Sequence, residues 1–162
     1  MFSDPSGGGA GRPGESRRIT DEKLFRYLLD FEVPKAQRLQ YCVSVVCLGS
    51  DLPTPEAADL SQTHVLDTIL LHTRMTDAIT ALPGAAFAVL LIDAETETLA
   101  AICQRLKGEL SLLTSVRSGG TWSAGAGCYP KTAARGTDLM RQAHELMTLA
   151  RGQGGDRFYI AS

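Results

Sequence analysis

At 162 residues the chain holds one domain and a tail, with enough core to stand without disulfides or a structural metal. Hydrophobic residues at 44% and charged residues at 21% are the balance of a soluble globular protein. A formal charge of −2 excludes a broad basic face for nucleic-acid polymers or membranes, so recognition of a charged ligand falls to a few local residues.

In chain order, residues 1–20 are rich in Gly, Ser and Pro and cannot bury a core; they read as a disordered tail, with Arg17 and Arg18 as solvated charge. Residues 21–40 form an N-terminal helix started by Thr20, with an incomplete capping box because Lys23 stands where Glu or Gln would close it. Its apolar stripe is Leu24, Tyr27, Leu28, Phe31 and Leu39, and Pro34 kinks or restarts it. The stripe packs on the domain or on a second copy; the sequence does not choose between them.

Residues 41–48 (YCVSVVCL) are apolar, β-branched and closed by Gly49, as a buried strand is. A loop with Pro53 and Pro55 leads to a helix over 55–73 through Leu60, Val65, Ile69 and Leu70. A short segment around Ile79, a turn at Pro83-Gly84 and a strand over 87–92 follow, then a helix over 95–112 through Leu99, Ile102, Leu106 and Leu110. The remainder reads as a small-residue strand over 121–129, a helix over 137–151, a stop at 152–155 and a last strand over 157–161. The fold class is α+β, with a central mixed five-stranded sheet covered by helices.

Other residues read blandly. Cys42, Cys47, Cys103 and Cys128 lack C-x-x-C spacing and histidine partners, and so pack as reduced, small hydrophobes. His64, His72 and His144 have no metal-like partners, Asp59 has a capping or structural role, and Trp122 belongs to the core. No signal peptide or membrane-spanning run is visible, which implies a cytoplasmic protein.

Three stretches, in order, resemble the GGDEF domain of diguanylate cyclases. The family turn R-x-G-G-D-E-F is similar to Ala81-Leu82-Pro83-Gly84-Ala85-Ala86-Phe87, and S-I-G-x-A-x-x-P to the run from Ser123 to Pro130. The family helix end resembles the run from Ala143 through Ala150-Arg151 to Asp156-Arg157-Phe158. The likeness spans roughly residues 25–161 and rests on the shared order of short motifs. It implies a nucleotidyl-cyclase palm-like domain over 41–162.

The resemblance also implies what is missing. The signature's acidic pair, which in the family helps to hold the metal ions carrying GTP phosphates, is replaced by Ala85 and Ala86, and its first glycine by Pro83. The first strand ends in Val46-Cys47-Leu48-Gly49 without the family's metal-binding aspartate, and the substrate-contacting loop after it is shortened. Arg151 takes the place of a phosphate-binding lysine. Mg²⁺ needs hard oxygen ligands, and phosphoryl transfer depends on it. The expectation is therefore no catalytic residue, no metal and no cofactor.

A second family site, R-x-x-D, lies five residues before the signature and binds cyclic di-GMP. Here Arg74-Met75-Thr76-Asp77 is followed by five residues and then Pro83, and Arg105 falls in register with a further arginine of that site. Guanine offers O6 and N7 to an arginine fork and N1–H and N2–H₂ to a carboxylate. An isolated Arg/Asp pair at i, i+3 is otherwise an ordinary helix-surface ion pair worth ~0.3 kcal/mol. The resemblance implies a catalytically inactive cyclic di-GMP receptor that self-associates with ligand or docks on a protein partner; the competing reading is a ligand-independent scaffold.

Overall fold

The computed structural model describes residues 18–52, 61–115 and 120–162. Among them one mixed sheet runs β1-β3-β4-β2-β5-β6. The strands are β1 (Ile19–Thr20), β2 (Val43–Ser50), β3 (Ala78–Leu82), β4 (Ala86–Ile92), β5 (Trp122–Tyr129) and β6 (Phe158–Ile160). The helices are α1 (Glu22–Leu39), α2 (Gln62–Leu71), α3 (Thr96–Ser115) and α4 (Gly136–Gly152). The outer pairs β1/β3 and β5/β6 are parallel, and the inner ones are antiparallel.

β2 is buried along its whole length because helices cover both faces, which is why it lacks a polar alternation. Val43, Val45 and Cys47 join Phe25, Leu29 and Val33 of α1 and Leu139, Met140 and Met147 of α4 in one core. Val46 and Leu48 point the other way, toward Val65 and Ile69 of α2 and Leu99, Leu106 and Leu110 of α3. The small residues of β5 let α4 come close: a Cβ on Gly125 would lie 2.3 Å from both Ala143 O and Met147 N. No helix among the described residues is long and apolar enough to cross a membrane.

Several sequence expectations need correcting. The sheet has six strands rather than five, because Ile19 and Thr20 pair with Ile79 and Thr80. Residues 19 and 20 of the expected tail are thus part of the sheet, while 1–17 lie outside the described residues. Arg18 is not solvated charge: it is only 7% exposed. Asp21, not Thr20, caps α1, its Oδ1 accepting from Leu24 N at 2.7 Å.

α1 does not restart at Pro34. A proline removes only one of its hydrogen bonds, and burial of Phe25, Leu29, Val33 and Ala36 holds both halves on the sheet. Of the expected stripe, only Leu28 packs against that core. Leu24, Tyr27, Phe31 and Leu39 are 45–65% exposed, so the sequence carries two apolar faces and the domain covers the other. α2 begins at Gln62 behind a Ser61 cap; Pro53, Pro55, Asp59 and Leu60 lie outside the described residues.

The four cysteines are free, and Cys47, Cys103 and Cys128 are buried. Burial pushes the thiols of Cys47 and Cys103 up to about 12, which keeps them protonated and unreactive near neutrality. Trp122 is fully buried, with its indole N–H on Thr114 Oγ1 and its ring centroid 6.0 Å from that of Phe87.

Candidate ligand-binding site

The segment between α2 and β3 carries Arg74 and Asp77. α2 closes when His72 N donates to Ile69 O at 3.1 Å, and the chain then turns so that Asp77 N meets Arg74 O at 3.0 Å. The Asp77 carboxylate locks this turn from inside. Its Oδ2 accepts from Arg74 N at 2.8 Å, and its Oδ1 accepts from Ile92 N at 3.1 Å, tying the turn to the end of β4. Asp77 is only 2% exposed. Arg74 and Asp77 therefore meet through a backbone amide in a turn, unlike a helix-surface ion pair.

The Arg74 guanidinium reaches the other way and donates from Nη2 to Ile92 O at 3.2 Å. Arg105, one helical face of α3, donates from Nη2 to His72 O at 3.0 Å. Both arginines are exposed, and each spends one N–H on a backbone carbonyl, Arg74 on Ile92 O at the end of β4 and Arg105 on His72 O at the end of α2. A guanidinium has five N–H donors, so each keeps a free edge for an acceptor-rich ligand while its position is fixed. Leu71 and Met75 on the same segment are 80% and 61% exposed. The fold thus ties Arg105 of α3 to the segment that carries Arg74 and buries the Asp77 carboxylate within its turn.

The second candidate region is the β3–β4 turn, Pro83, Gly84 and Ala85, with Leu82 paired to Ala86 and Ala81 to Phe87. Gly84 and Ala85 have φ of +79° and +52°. Arg151 of α4 crosses to this turn, its Nη2 donating to Gly84 O at 3.0 Å and Ala85 O at 3.2 Å. Its guanidinium lies against Gly49 at the end of β2, where a Cβ would come within 2.6 Å of Cζ. Burial lowers the Arg151 pKa from its ordinary value, opposed by the charge of Asp51. Positions 49, 85 and 86 offer no side-chain oxygen, and the space beside them holds a fixed cation. That donor set does not fit Mg²⁺, whose near-octahedral shell is built from hard oxygens.

A left-handed alanine is strained where glycine is not. Ala85→Gly is expected to stabilise the fold by about 0.5 kcal/mol, the relief of strain exceeding the added entropy of the unfolded chain. A denaturant midpoint that fails to rise would count against the turn geometry.

Two residues escaped sequence reading. Arg18 lies in an unpatterned stretch and gives no periodic signal. Asp51 clasps the end of the sheet, accepting from Thr121 Oγ1, Ser123 Oγ and Asp156 N at 2.7, 2.7 and 2.9 Å. His72 caps α2 with its Nε2 3.5 Å from Glu109 Oε2, and the 152–155 stretch ends α4.

An antiparallel β-hairpin set in a mixed sheet, with two helices on each face, defines the α+β class to which this chain belongs. Within it, the fold is that of GGDEF domains. No family model and no curated protein matches the sequence. Solved structures do match. The GGDEF domain of TpbB (YfiN) from Pseudomonas aeruginosa superposes with a TM-score of 0.76 at 19% identity, over 89% of this chain and 91% of that one. The active GGEEF domain of a diguanylate cyclase from Vibrio cholerae gives 0.77 at 12% identity, over 88% and 97%. The GGDEF domain of DgcB from Caulobacter crescentus, solved in complex with cyclic di-GMP, gives 0.75 at 17% identity, over 89% of each chain.

Proposed function

We propose that this GGDEF-fold domain is a catalytically inactive receptor for cyclic di-GMP, held by Arg74 and Arg105. The observation that carries the reading is the presence of two exposed guanidiniums, Arg74 fixed on Ile92 O at the end of β4 and Arg105 on His72 O at the end of α2, each with donors left free. Such forks suit guanine O6/N7 and the phosphodiester oxygens, and their faces stack on purines. Asp77 enters as the residue that shapes the turn; a carboxylate this deeply covered has no open edge for guanine in this conformation. The complex of the Caulobacter crescentus DgcB domain with cyclic di-GMP supports this choice of ligand for the same fold. The absence of side-chain oxygens at 49, 85 and 86 supports inactivity toward GTP and Mg²⁺.

Calorimetry with cyclic di-GMP is expected to give saturable binding that Arg74→Ala weakens at least about tenfold, a loss of ~1.4 kcal/mol. No binding at about 50 µM, near −6 kcal/mol, or equal binding by the variant would sink the reading. Product formed from GTP and Mg²⁺ would overturn inactivity.

The scaffold reading is favoured by one observation, the exposed face of α1 bearing Leu24, Tyr27, Phe31 and Leu39. It predicts an association state indifferent to cyclic di-GMP, whereas the receptor reading allows ligand-promoted self-association. Light scattering with and without ligand separates them.

A further inference from the structure

β1 contributes two residues to the edge of the sheet, too few to hold a strand by pairing alone. Arg18, immediately before it, supplies the anchor. Its Nε donates to Asp77 O at 2.9 Å, its Nη1 to Leu70 O at 3.4 Å and its Nη2 to Thr73 Oγ1. The Thr73 hydroxyl can accept because its own proton goes to Ile69 O at 2.8 Å. Leu70 O is among the last carbonyls of α2, at the negative end of the helix dipole, where a cation is favoured. Arg18 therefore caps α2 from more than fifty residues away and reaches both ends of the segment that presents Arg74.

That segment is held from three directions. Arg18 grips Leu70, Thr73 and Asp77 from the N-terminal side, Arg105 grips His72 O from α3, and Ile92 N grips the Asp77 carboxylate from β4. Thr20 Oγ1 adds a bond to Ile79 O at 3.3 Å, just past Asp77. Of the three, the Arg18 contact comes from the segment that precedes α1 and carries the two-residue edge strand β1.

We propose that Arg18 is a positioning residue for the ligand loop, so that docking of β1 and occupancy of the Arg74–Arg105 site favour one another. Any pull, partner or cut acting on the chain before Arg18 then acts on ligand affinity, and ligand in turn holds β1 down, because coupling between two binding equilibria is reciprocal. The loop-holding half stands on the contacts alone; the ligand half rests on the function proposed above.

Hydrogen exchange on the full chain without ligand tests the first half. In Arg18→Ala, amides of residues 72–79 are expected to exchange at least about tenfold faster while those of β2 and β5 keep their rates. Thr73→Val, which removes one acceptor and keeps Arg18, should give the same local pattern more weakly. Unchanged exchange over 72–79, or a uniform rise that includes β2 and β5 in both variants, overturns the proposal. Calorimetry tests the second half: Arg18→Ala is expected to weaken cyclic di-GMP about tenfold, and ligand should slow tryptic cleavage after Arg18 in the wild type by a similar factor. Equal affinities overturn the linkage. If the wild type itself does not bind, the functional reading fails and the exchange result still decides the role of Arg18.

Discussion

Gly125→Ala is expected to destabilise the domain by ~3 kcal/mol, more than a methyl group would suggest. The added Cβ would meet Ala143 O and Met147 N at 2.3 Å, and both are backbone atoms of α4. A flexible side chain could swing aside, but a helix backbone can only retreat as a unit. Retreat would strip Leu139, Met140, Ala143 and Met147 from the core they share with Val43, Val45 and Cys47. Gly108→Ala is the control. It sits in α3 with open space around its Cβ position, so the same change should stabilise by up to ~1 kcal/mol through helix propensity. Urea midpoints moving in opposite directions for the two variants verify the close approach of α4 to β5. Equal small shifts would refute it.

The same glycine shows what a sequence can reveal. The stretch 121–129 reads as a strand of small residues closed by Pro130. Which helix presses is a tertiary fact. The central strands were legible because burial on both faces leaves a continuous apolar run, as in β2 and β4. The edge strand β1 was not, because two residues carry no period and their pairing depends on Arg18, a charged residue that composition assigns to water.

α1 shows a subtler limit. Its hydrophobic positions satisfy two helical stripes at once, and periodicity cannot rank them. The domain chose Phe25, Leu29, Val33 and Ala36, whose rows face β2 and α4, and left Leu24, Tyr27, Phe31 and Leu39 outside. For the candidate site, the resemblance pointed to Arg74, Asp77 and Arg105; the fold puts Arg74 and Asp77 in one turn and Arg105 on α3, donating to His72 O before it. Their division of labour was invisible in the sequence, since it depends on which atoms the turn directs inward. Ala85 and Ala86 at the β3–β4 turn were plain in the sequence, yet the Arg151 guanidinium lying against Gly49 was not.

Asp77→Ala is expected to cost ~3 kcal/mol of stability, because it deprives two amides, Arg74 N and Ile92 N, of a charged acceptor in a covered turn. It should also abolish measurable cyclic di-GMP binding, since Arg74 would lose the turn that presents it. Loss of binding alone therefore says nothing about contact between Asp77 and guanine. Asp77→Asn separates the roles. The amide oxygen keeps one of the two bonds, while its NH₂ faces an N–H donor, so about half of the stability loss should remain. The deciding comparison uses the analogue in which hypoxanthine replaces guanine and the exocyclic N2 amine is gone. If Asp77 accepted from that amine, the wild type would prefer guanine and Asp77→Asn would erase the preference. With the carboxylate committed to Arg74 N and Ile92 N, the expected result is the same ratio of the two affinities in both proteins, with both affinities lowered in the variant. A ratio that collapses toward one only in Asp77→Asn would move the carboxylate from beneath the site into it.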